Sequence, residues 1–144
     1  MKKNILILFA LFTLGASLHA AVLQSNIVLI FVDDMGYGDL GCYGNKSNKT
    51  PNIDRLAAEG QRWTSFYSSG AWCVPSRTGL MTGRHPALFA AGKNNLAKVR
   101  DKLMAAMLKK QGYATAILGK WHLAGYPQDF TKSPMHPLEC GFDY

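Results

Sequence analysis

The sequence predicts an α/β fold with a largely parallel sheet flanked by helices, on the basis of three observations. Short runs rich in β-branched and aromatic residues are typical of strands, at residues 26–32, 61–67 and 113–118. Helical patterns lie between these runs, and strands that alternate with helices are typical of a parallel sheet. A cluster of polar residues follows each run, which is where such sheets place their ligands.

The first predicted strand is a continuous apolar run, so we expect it to be buried on both faces. It ends at Asp33 and Asp34, and a glycine-rich loop follows as far as Gly44. Two adjacent carboxylates at a strand end can hold a hard cation such as calcium or magnesium through oxygen. The alternative is that one of them caps a turn.

A helix is predicted after this loop. Thr50 suits its N-cap, Pro51 its first position and Gly60 its end. The second predicted strand follows directly.

The segment from Cys73 to Met81 places a cysteine at the start of another predicted helix. Pro75 suits the first turn of that helix, where its missing N–H costs nothing. Cys73 would then lie at the positive end of the helix dipole, and Arg77 adds a permanent charge close by. Because an electropositive pocket activates a thiol and attracts oxyanions, the segment predicts a reactive cysteine beside an anion site. The alternative is a buried cysteine in an N-capped helix.

A further amphipathic pattern predicts a helix over residues 95–111 that ends at Gly112. Its apolar positions recur at helical spacing: Leu96, Val99, Leu103 and Met107. The net charge of the chain is +7, and several of its lysines lie on this predicted helix. Such a cluster of lysines is typical of a solvated helix face. No aromatic residues interleave with these charges, so nucleic-acid binding is not indicated.

The third predicted strand leads into Lys120 and His122. Residues two apart on an extended segment share a face, so these two side chains point the same way and Trp121 points into the core. A lysine suits an oxyanion as a point charge, and a histidine can move protons near neutral pH. The alternative is a solvated lysine and a hydrogen-bonded histidine. Prolines after residue 126 predict irregular structure up to Tyr144.

The composition is that of one globular unit with an N-terminal export signal. The chain has 144 residues, of which 48% are hydrophobic and 17% charged. Residues 1–20 combine two lysines, a short apolar run and small residues, which is the pattern of a cleaved signal peptide. We therefore expect a periplasmic or secreted protein, with no stable membrane association after cleavage. If Cys73 is the reactive cysteine, Cys42 and Cys140 could pair.

Several motifs, in order along the chain, resemble those of the type I sulfatases, which depend on formylglycine. Cys73-Val74-Pro75-Ser76-Arg77, with Thr82-Gly83-Arg84 downstream, resembles their first signature, and Gly119-Lys120-Trp121-His122-Leu123 resembles their second. The other matches are Val32-Asp33-Asp34-Met35-Gly36-Tyr37-Gly38-Asp39, Thr50-Pro51-Asn52-Ile53-Asp54 and Gly141-Phe142-Asp143-Tyr144. The resemblance covers nearly all of residues 26–144 and implies an alkaline-phosphatase-like α/β fold.

The resemblance also implies a role for each matched site residue. Cys73 would be oxidised to formylglycine by a formylglycine-generating enzyme, and the hydrated aldehyde would supply the attacking oxygen. Asp33, Asp34 and the modified residue 73 would bind calcium, with magnesium possible. Arg77 and Lys120 would steady the diol and the sulfate oxygens, and His122 would assist in breaking down the sulfated intermediate.

The implied activity is arylsulfatase-like hydrolysis of a sulfuric ester, with a sulfated carbohydrate or an aryl sulfate as substrate. Because sulfatases are several times longer than this chain, we expect residues 22–144 to be the N-terminal part of a sulfatase catalytic domain, incomplete at the C-terminus and inactive alone. One alternative is a formylglycine-dependent hydrolase of phosphonate or phosphate esters. Another is a non-catalytic fragment that has drifted to an interaction role.

Overall fold

The computed structural model describes residues 24–89, 96–125 and 127–144. The chain divides into two compact units, Met1–Val32 and Asp33–Tyr144. The predicted signal peptide at residues 1–20 lies outside the described residues. None of the helices in the described ranges is long and apolar enough to cross a membrane.

The predicted strand at residues 26–32 of the first unit does not form a strand. Its apolar side chains are exposed rather than buried, from 41% for Phe31 to 85% for Val28. A strand is stable only when neighbouring strands or a packed layer cover it, and local sequence cannot provide either. The expectation of a strand buried on both faces is therefore wrong for this structure.

In the second unit, helix α1 spans Pro51–Glu59 and follows short 3-10 helices at Tyr37–Asp39 and Gly41–Tyr43. Thr50 occupies the N-cap position as predicted, but its hydroxyl does not cap a helix N–H. It accepts from the backbone N–H of Gly41 at 2.9 Å and donates to Asp54 Oδ1 at 2.9 Å. The first turn of α1 is therefore tied to the loop before it, and the predicted helix is confirmed.

Helix α2 spans Cys73–Thr82, with Pro75 in its first turn as predicted. It ends at Gly83, whose left-handed backbone (φ 63°) lets its N–H bind the Gly79 carbonyl at 2.9 Å. A methyl group at Gly79 would lie 1.9 Å from Ser69 Oγ. The loop before α2 thus packs closely against the helix, which fixes the direction from which the chain enters at Cys73.

The helix predicted over residues 95–111 is broken in the described part of that range. A 3-10 helix covers Leu96–Lys102 and helix α3 covers Met104–Lys110. Between them Leu103 has an extended backbone (φ −70°, ψ 156°) and a fully buried side chain. Burial of this leucine outweighs the helical preference of the surrounding sequence, so the prediction of one continuous helix is wrong. Two further 3-10 helices, Phe130–Lys132 and Pro137–Cys140, follow later in the unit, and another, Pro86–Leu88, precedes residue 90.

A single cluster of buried side chains forms the core of the second unit. Its members are Met81, Leu103, Ala105, Trp121, Leu123, Met135, Cys140 and Phe142. Trp121 enters this core as predicted, and its indole Nε1 donates to the Met135 carbonyl at 2.7 Å. Cys140 is fully buried and free, and Cys42 is free as well, so the two do not pair in this structure.

The other two predicted strands, residues 61–67 and 113–118, do not form strands either. The second of them does make part of a ladder with the end of the chain. Asp143 N donates to the Thr115 carbonyl at 2.8 Å, and Ile117 N donates to the Tyr144 carbonyl at 2.9 Å. This short pairing is the closest approach to a sheet in the described residues.

The Asp143 carboxylate adds side-chain hydrogen bonds to this backbone pairing. Lys109 Nζ lies 2.5 Å from Oδ1, and Thr115 donates to Oδ2 from its backbone N–H at 2.9 Å and its hydroxyl at 3.1 Å. The hydrogen bond from Lys109, followed by those from Thr115, lowers the pKa of Asp143 from 3.8 to about 2. The carboxylate therefore links α3, residue 115 and the C-terminal segment.

Asp143→Asn is expected to lower the free energy of unfolding by an amount that depends on pH. The folded pKa lies below the unfolded value, so the ionised carboxylate stabilises the fold fully above about pH 4 and loses this effect as the pH falls through about 2. Urea unfolding of wild type and variant between pH 7 and pH 2 measures the difference, which should shrink in that acid range. Asp101→Asn is the control, since its ion pair with Lys110 is longer at 3.9 Å and both side chains are exposed. A difference that stays constant down to pH 2 would contradict the assignment.

Candidate active site

Three side chains from distant parts of the sequence meet in the second unit. The Lys120 amine forms an ion pair with the Asp33 carboxylate, across 87 residues of chain. Arg77 Nη2 lies 3.7 Å from the same oxygen, Asp33 Oδ2. Arg77 Nη1 also donates to the backbone carbonyl of Lys120 at 2.6 Å. Residues that follow the first and third predicted strands are thus joined through Arg77 of α2.

Asp33 and Lys120 each stabilise the ionised form of the other. The hydrogen bond from Lys120 holds the pKa of Asp33 below its usual value of 3.8, and the same bond raises the pKa of Lys120 above 10.5. Both groups are therefore ionised throughout the neutral range. Because both side chains are partly exposed, solvent screens the pair and its contribution to stability is small.

Cys73 and His122 lie at the edges of the same cluster. Cys73 is the first residue of α2, is half-buried and lies one helical turn before Arg77. His122 is half-buried and follows Lys120 by two residues. Lys120 is exposed and Trp121 buried, which is the alternation that the extended segment predicts. The structure thus brings Asp33, Arg77 and Lys120 into contact and places Cys73 and His122 on the same segments as Arg77 and Lys120.

Asp34 and His122 have left-handed backbones, with φ of 57° and 60°. In the part of the chain that the structure describes, they are the non-glycine residues with positive φ. This conformation costs an L-residue about 1–2 kcal/mol, and such strained residues concentrate at functional sites. Both residues belong to the motifs that the sequence marks as candidate site segments.

Comparison with known proteins shows the family of this chain. A family profile described as Sulfatase matches residues 25–144. The chain belongs to the sulfatase family. It is 43% identical to human steryl-sulfatase over all of its own length, 43% identical to rat N-acetylgalactosamine-6-sulfatase over 99% of it, and 42% identical to bovine arylsulfatase A over 88% of it. The chain spans 26%, 29% and 27% of these relatives, respectively.

Both sulfatase signatures contribute to the centre. The first signature begins α2 and supplies Cys73 and Arg77, and the second supplies Lys120 and His122. The contact between them is made by the guanidinium of Arg77 and the main chain at Lys120. A side chain of the first signature is therefore oriented by the backbone of the second.

The two adjacent aspartates are of the chemical kind that binds a hard divalent cation. Asp33 and Asp34 offer carboxylate oxygens, the ligands that calcium and magnesium prefer. Two carboxylates fall short of the roughly six to eight oxygens that calcium takes. In the described residues, no group of three or more histidine, cysteine, aspartate or glutamate side chains is arranged to hold a metal. These two aspartates would therefore form one part of a cation site.

Two features of the centre have no signal in the amino-acid sequence. A backbone carbonyl such as that of Lys120 carries no residue-specific signal, so its role as an acceptor for Arg77 could not be found in advance. The motifs imply that Asp33 binds a metal cation and that Lys120 binds sulfate oxygens, so they do not predict the direct ion pair between these two residues. The paired charges of the motifs were visible, but which charge would contact which was not.

Proposed function

We propose that this chain carries the nucleophile-bearing part of a sulfuric ester hydrolase. The observation that supports it best is the convergence of Arg77 and Lys120, one from each sulfatase signature, beside Cys73 at the start of α2. A sulfate ester spreads negative charge over its oxygens, and this charge shifts towards the leaving group during cleavage. Two cations next to the position of the attacking group, one of them held in place by the Lys120 carbonyl, are the arrangement that such a reaction needs.

Each residue of the centre has a specific task in this proposal. Oxidation of the Cys73 Cβ with dioxygen as the oxidant, by a formylglycine-generating enzyme and with loss of the thiol sulfur, would supply an aldehyde that hydrates to a diol. One hydroxyl of the diol would attack sulfur and release the alcohol or phenol of the ester, and deprotonation of the other would restore the aldehyde and release sulfate. Arg77, held by the Lys120 carbonyl, presents its guanidinium to sulfate oxygens in a fixed direction. Lys120 adds a movable positive charge, and His122 transfers a proton to or from the reacting oxygens.

Asp33 and Asp34 would hold a divalent cation, calcium or magnesium, at this centre. Such a cation supplies Lewis-acid stabilisation of negative oxygens. The left-handed backbone at Asp34 turns the chain sharply between these two carboxylates and the glycine-rich loop. We expect the remaining oxygen ligands to come from sequence outside this chain.

The α/β sheet belongs to the same proposal. Each of the three predicted strands has exposed apolar side chains in this structure, among them Val28, Phe66 and Leu118. Exposed apolar runs of this length are the natural strands of a larger sheet, which requires partner strands that the described residues lack. We expect these runs to become strands of an alkaline-phosphatase-like domain when the remainder of a sulfatase domain is present.

The family and the predicted N-terminal signal support a proposal on substrate class and location. The relatives named above are a steryl-sulfatase, an N-acetylgalactosamine-6-sulfatase and an arylsulfatase. We propose a sulfated carbohydrate or an aryl sulfate as substrate and a periplasmic or extracellular location. The chain by itself is expected to turn over little or no substrate, because it spans less than a third of these relatives.

The first test is the modification of Cys73. When the full chain is produced together with a formylglycine-generating enzyme, we expect mass spectrometry to find an aldehyde at residue 73 and unaltered thiols at Cys42 and Cys140. These two cysteines are internal controls, since neither precedes a Val-Pro-Ser-Arg sequence. Arg77→Ala should reduce the converted fraction at least about tenfold, in line with loss of a charged recognition contact. An unaltered Cys73 would support a chain that has drifted from catalysis.

The second test is turnover of an aryl sulfate by the converted chain with calcium. We expect a rate far below that of a complete sulfatase domain assayed in parallel. A rate equal to that of the complete domain would contradict the proposal that further ligands and strands are required.

A further inference from the structure

We propose that a cavity beside α1 is a second anion site, which binds a sulfated carbohydrate chain. The cavity has a volume of about 900 Å³, within the range of about 300–1,000 Å³ that is usual for ligand pockets. Its lining comes from α1, from the loop at residues 41–50 and from Arg62. None of these residues belongs to the proposed active site, so this inference does not depend on the proposed function.

Positive charge dominates the lining of this cavity. Lys46, Lys49 and Arg62 contribute three cations, and Asp54 contributes one carboxylate. One oxygen of that carboxylate already accepts two hydrogen bonds from the loop before α1, at 2.7 and 2.9 Å. Every ion pair within the described ranges involves other cations, so no carboxylate there neutralises the three charges of the cavity.

The loop that carries the two lysines has a fixed backbone. Asn45 Oδ1 accepts from the backbone N–H of Ser47 at 2.8 Å and of Asn48 at 2.7 Å. Asn48 Nδ2 in turn donates to the Asp39 carbonyl at 3.1 Å. The lysines lie next to these residues in the chain, so the loop is ordered before a ligand arrives. Less conformational entropy is then lost on binding.

The Arg62 guanidinium is oriented from two sides. One of its nitrogens donates to the Cys42 carbonyl, and its central carbon lies 5.5 Å from the centroid of the Tyr43 ring. A guanidinium has five N–H donors, and the contact with Cys42 leaves others for the oxygens of a ligand. The third cation is therefore held in place with donors to spare.

The chemistry of the lining favours a sulfated carbohydrate. The donors of lysine and arginine suit sulfate oxygens, which only accept hydrogen bonds, and the side-chain oxygen of Asn48 can accept from a sugar hydroxyl. Among the described residues, no aromatic side chain lines the cavity, whereas proteins that bind single-stranded nucleic acid stack its bases on aromatic rings. Because a single exposed charge contact is weak, three cations suit a chain with several sulfates better than one ion.

Binding of a heparin hexasaccharide to the full chain, measured by titration calorimetry, tests this inference. We expect the double variant Lys46→Gln, Lys49→Gln to bind it about tenfold more weakly than the wild type, from loss of two exposed charge contacts. The matched control is Lys98→Gln, Lys102→Gln, which removes the same charge from two exposed lysines that do not line the cavity. At physiological ionic strength distant charges are screened, so the control should stay within about twofold of the wild type.

Protection of lysines from an amine-acylating reagent locates the bound chain without any substitution. The wild-type protein is treated with and without the hexasaccharide, and acylation of each lysine is quantified by mass spectrometry. We expect the hexasaccharide to slow acylation of Lys46 and Lys49 and to leave Lys98 and Lys102 unchanged. Equal protection of all four lysines, or protection of none, would overturn the assignment of the cavity.

Further results would also overturn the proposal. Absence of measurable binding, equal weakening by both double variants, or undiminished binding of the desulfated hexasaccharide would each show that the cavity does not recognise sulfate. Equal protection of Lys46 and Lys49 by inorganic sulfate at the same sulfate concentration would reassign it to a single ion. Tighter binding of a single-stranded oligonucleotide of equal charge, lost in the Lys46→Gln, Lys49→Gln variant, would reassign it to nucleic acid. Each of these results leaves the test of Cys73 conversion unaffected.

Discussion

Replacement of Gly141 by alanine is expected to lower the free energy of unfolding by about 2–5 kcal/mol, the sum of backbone strain and overpacking. Gly141 ends the 3-10 helix Pro137–Cys140 in a left-handed conformation, with φ of 99°. A methyl group there would lie 2.3 Å from the backbone nitrogen of Ala106 and 2.4 Å from its Cα. Because these are backbone atoms of α3, they cannot move aside as a flexible side chain would. The variant should therefore separate the C-terminal segment from α3.

Gly44→Ala is the matched control for this prediction. Gly44 also ends a 3-10 helix and has nearly the same backbone, with φ of 101°, but a methyl group there meets nothing within 4 Å. It should lose only the conformational part, about 1–2 kcal/mol. Urea unfolding of both variants at neutral pH measures the difference, provided that the slope m is unchanged. Equal losses in the two variants would mean that contact with α3 has no energetic importance.

Trp121→Ala is expected to destabilise the chain by about 3–5 kcal/mol, the usual range for removal of a buried aromatic residue. The indole is 7% exposed and packs edge-on against Phe142, with ring centroids 5.7 Å apart. Its Nε1 is also the donor for the buried Met135 carbonyl. Truncation therefore leaves a cavity in the core and an acceptor without its donor, and both effects act in the same direction.

Two further variants separate loss of the N–H donor from loss of the buried ring and provide an exposed control. Trp121→Phe keeps most of the ring but lacks the N–H, and should lose about 1–3 kcal/mol for the unsatisfied carbonyl. Trp72→Ala removes an exposed tryptophan and should change the free energy of unfolding by less than about 0.5 kcal/mol. Urea unfolding monitored by far-UV circular dichroism avoids dependence on the fluorophore that is being removed. A loss for Trp121→Ala as small as that for Trp72→Ala would show that the core does not depend on this residue.

The sequence predicted the helices whose signals are local. Pro51 and Gly60 bracket α1, and Pro75 lies in the first turn of α2, because each of these residues has a backbone preference that neighbours do not change. The break at Leu103 could not be predicted in the same way. Its apolar spacing continues smoothly through the break, and the extended conformation arises only from burial in a core that other segments complete.

The predicted strands, in contrast to the helices, depend on contacts that local sequence does not specify. Residues 26–32 have the composition of a buried strand, yet a strand exists only by pairing with another segment, and composition does not identify that segment. The one ladder that forms in the described residues joins the third predicted strand to residues 143–144. The prolines after residue 126 predict irregular structure for these last two residues. Apolar character was thus predictable and pairing was not.

The candidate site was predictable in its residues but not in its contacts. The motifs identify Asp33, Asp34, Cys73, Arg77, Lys120 and His122, and the structure brings three of them, Asp33, Arg77 and Lys120, into direct contact. The Lys120–Asp33 ion pair spans 87 residues and depends on how the intervening chain folds. The left-handed backbone at His122 gives no sequence signal, since most histidines have negative φ.

The buried thiol of Cys140 makes the chain its own reporter of unfolding. Its side chain is inaccessible, and burial raises its pKa from 9.0 to about 11, so at neutral pH almost none of it is the reactive thiolate. Cys42 and Cys73 are half-buried and lie outside this core. The rate at which a thiol reagent labels Cys140 therefore measures how often the core opens, and no cysteine has to be introduced for this measurement.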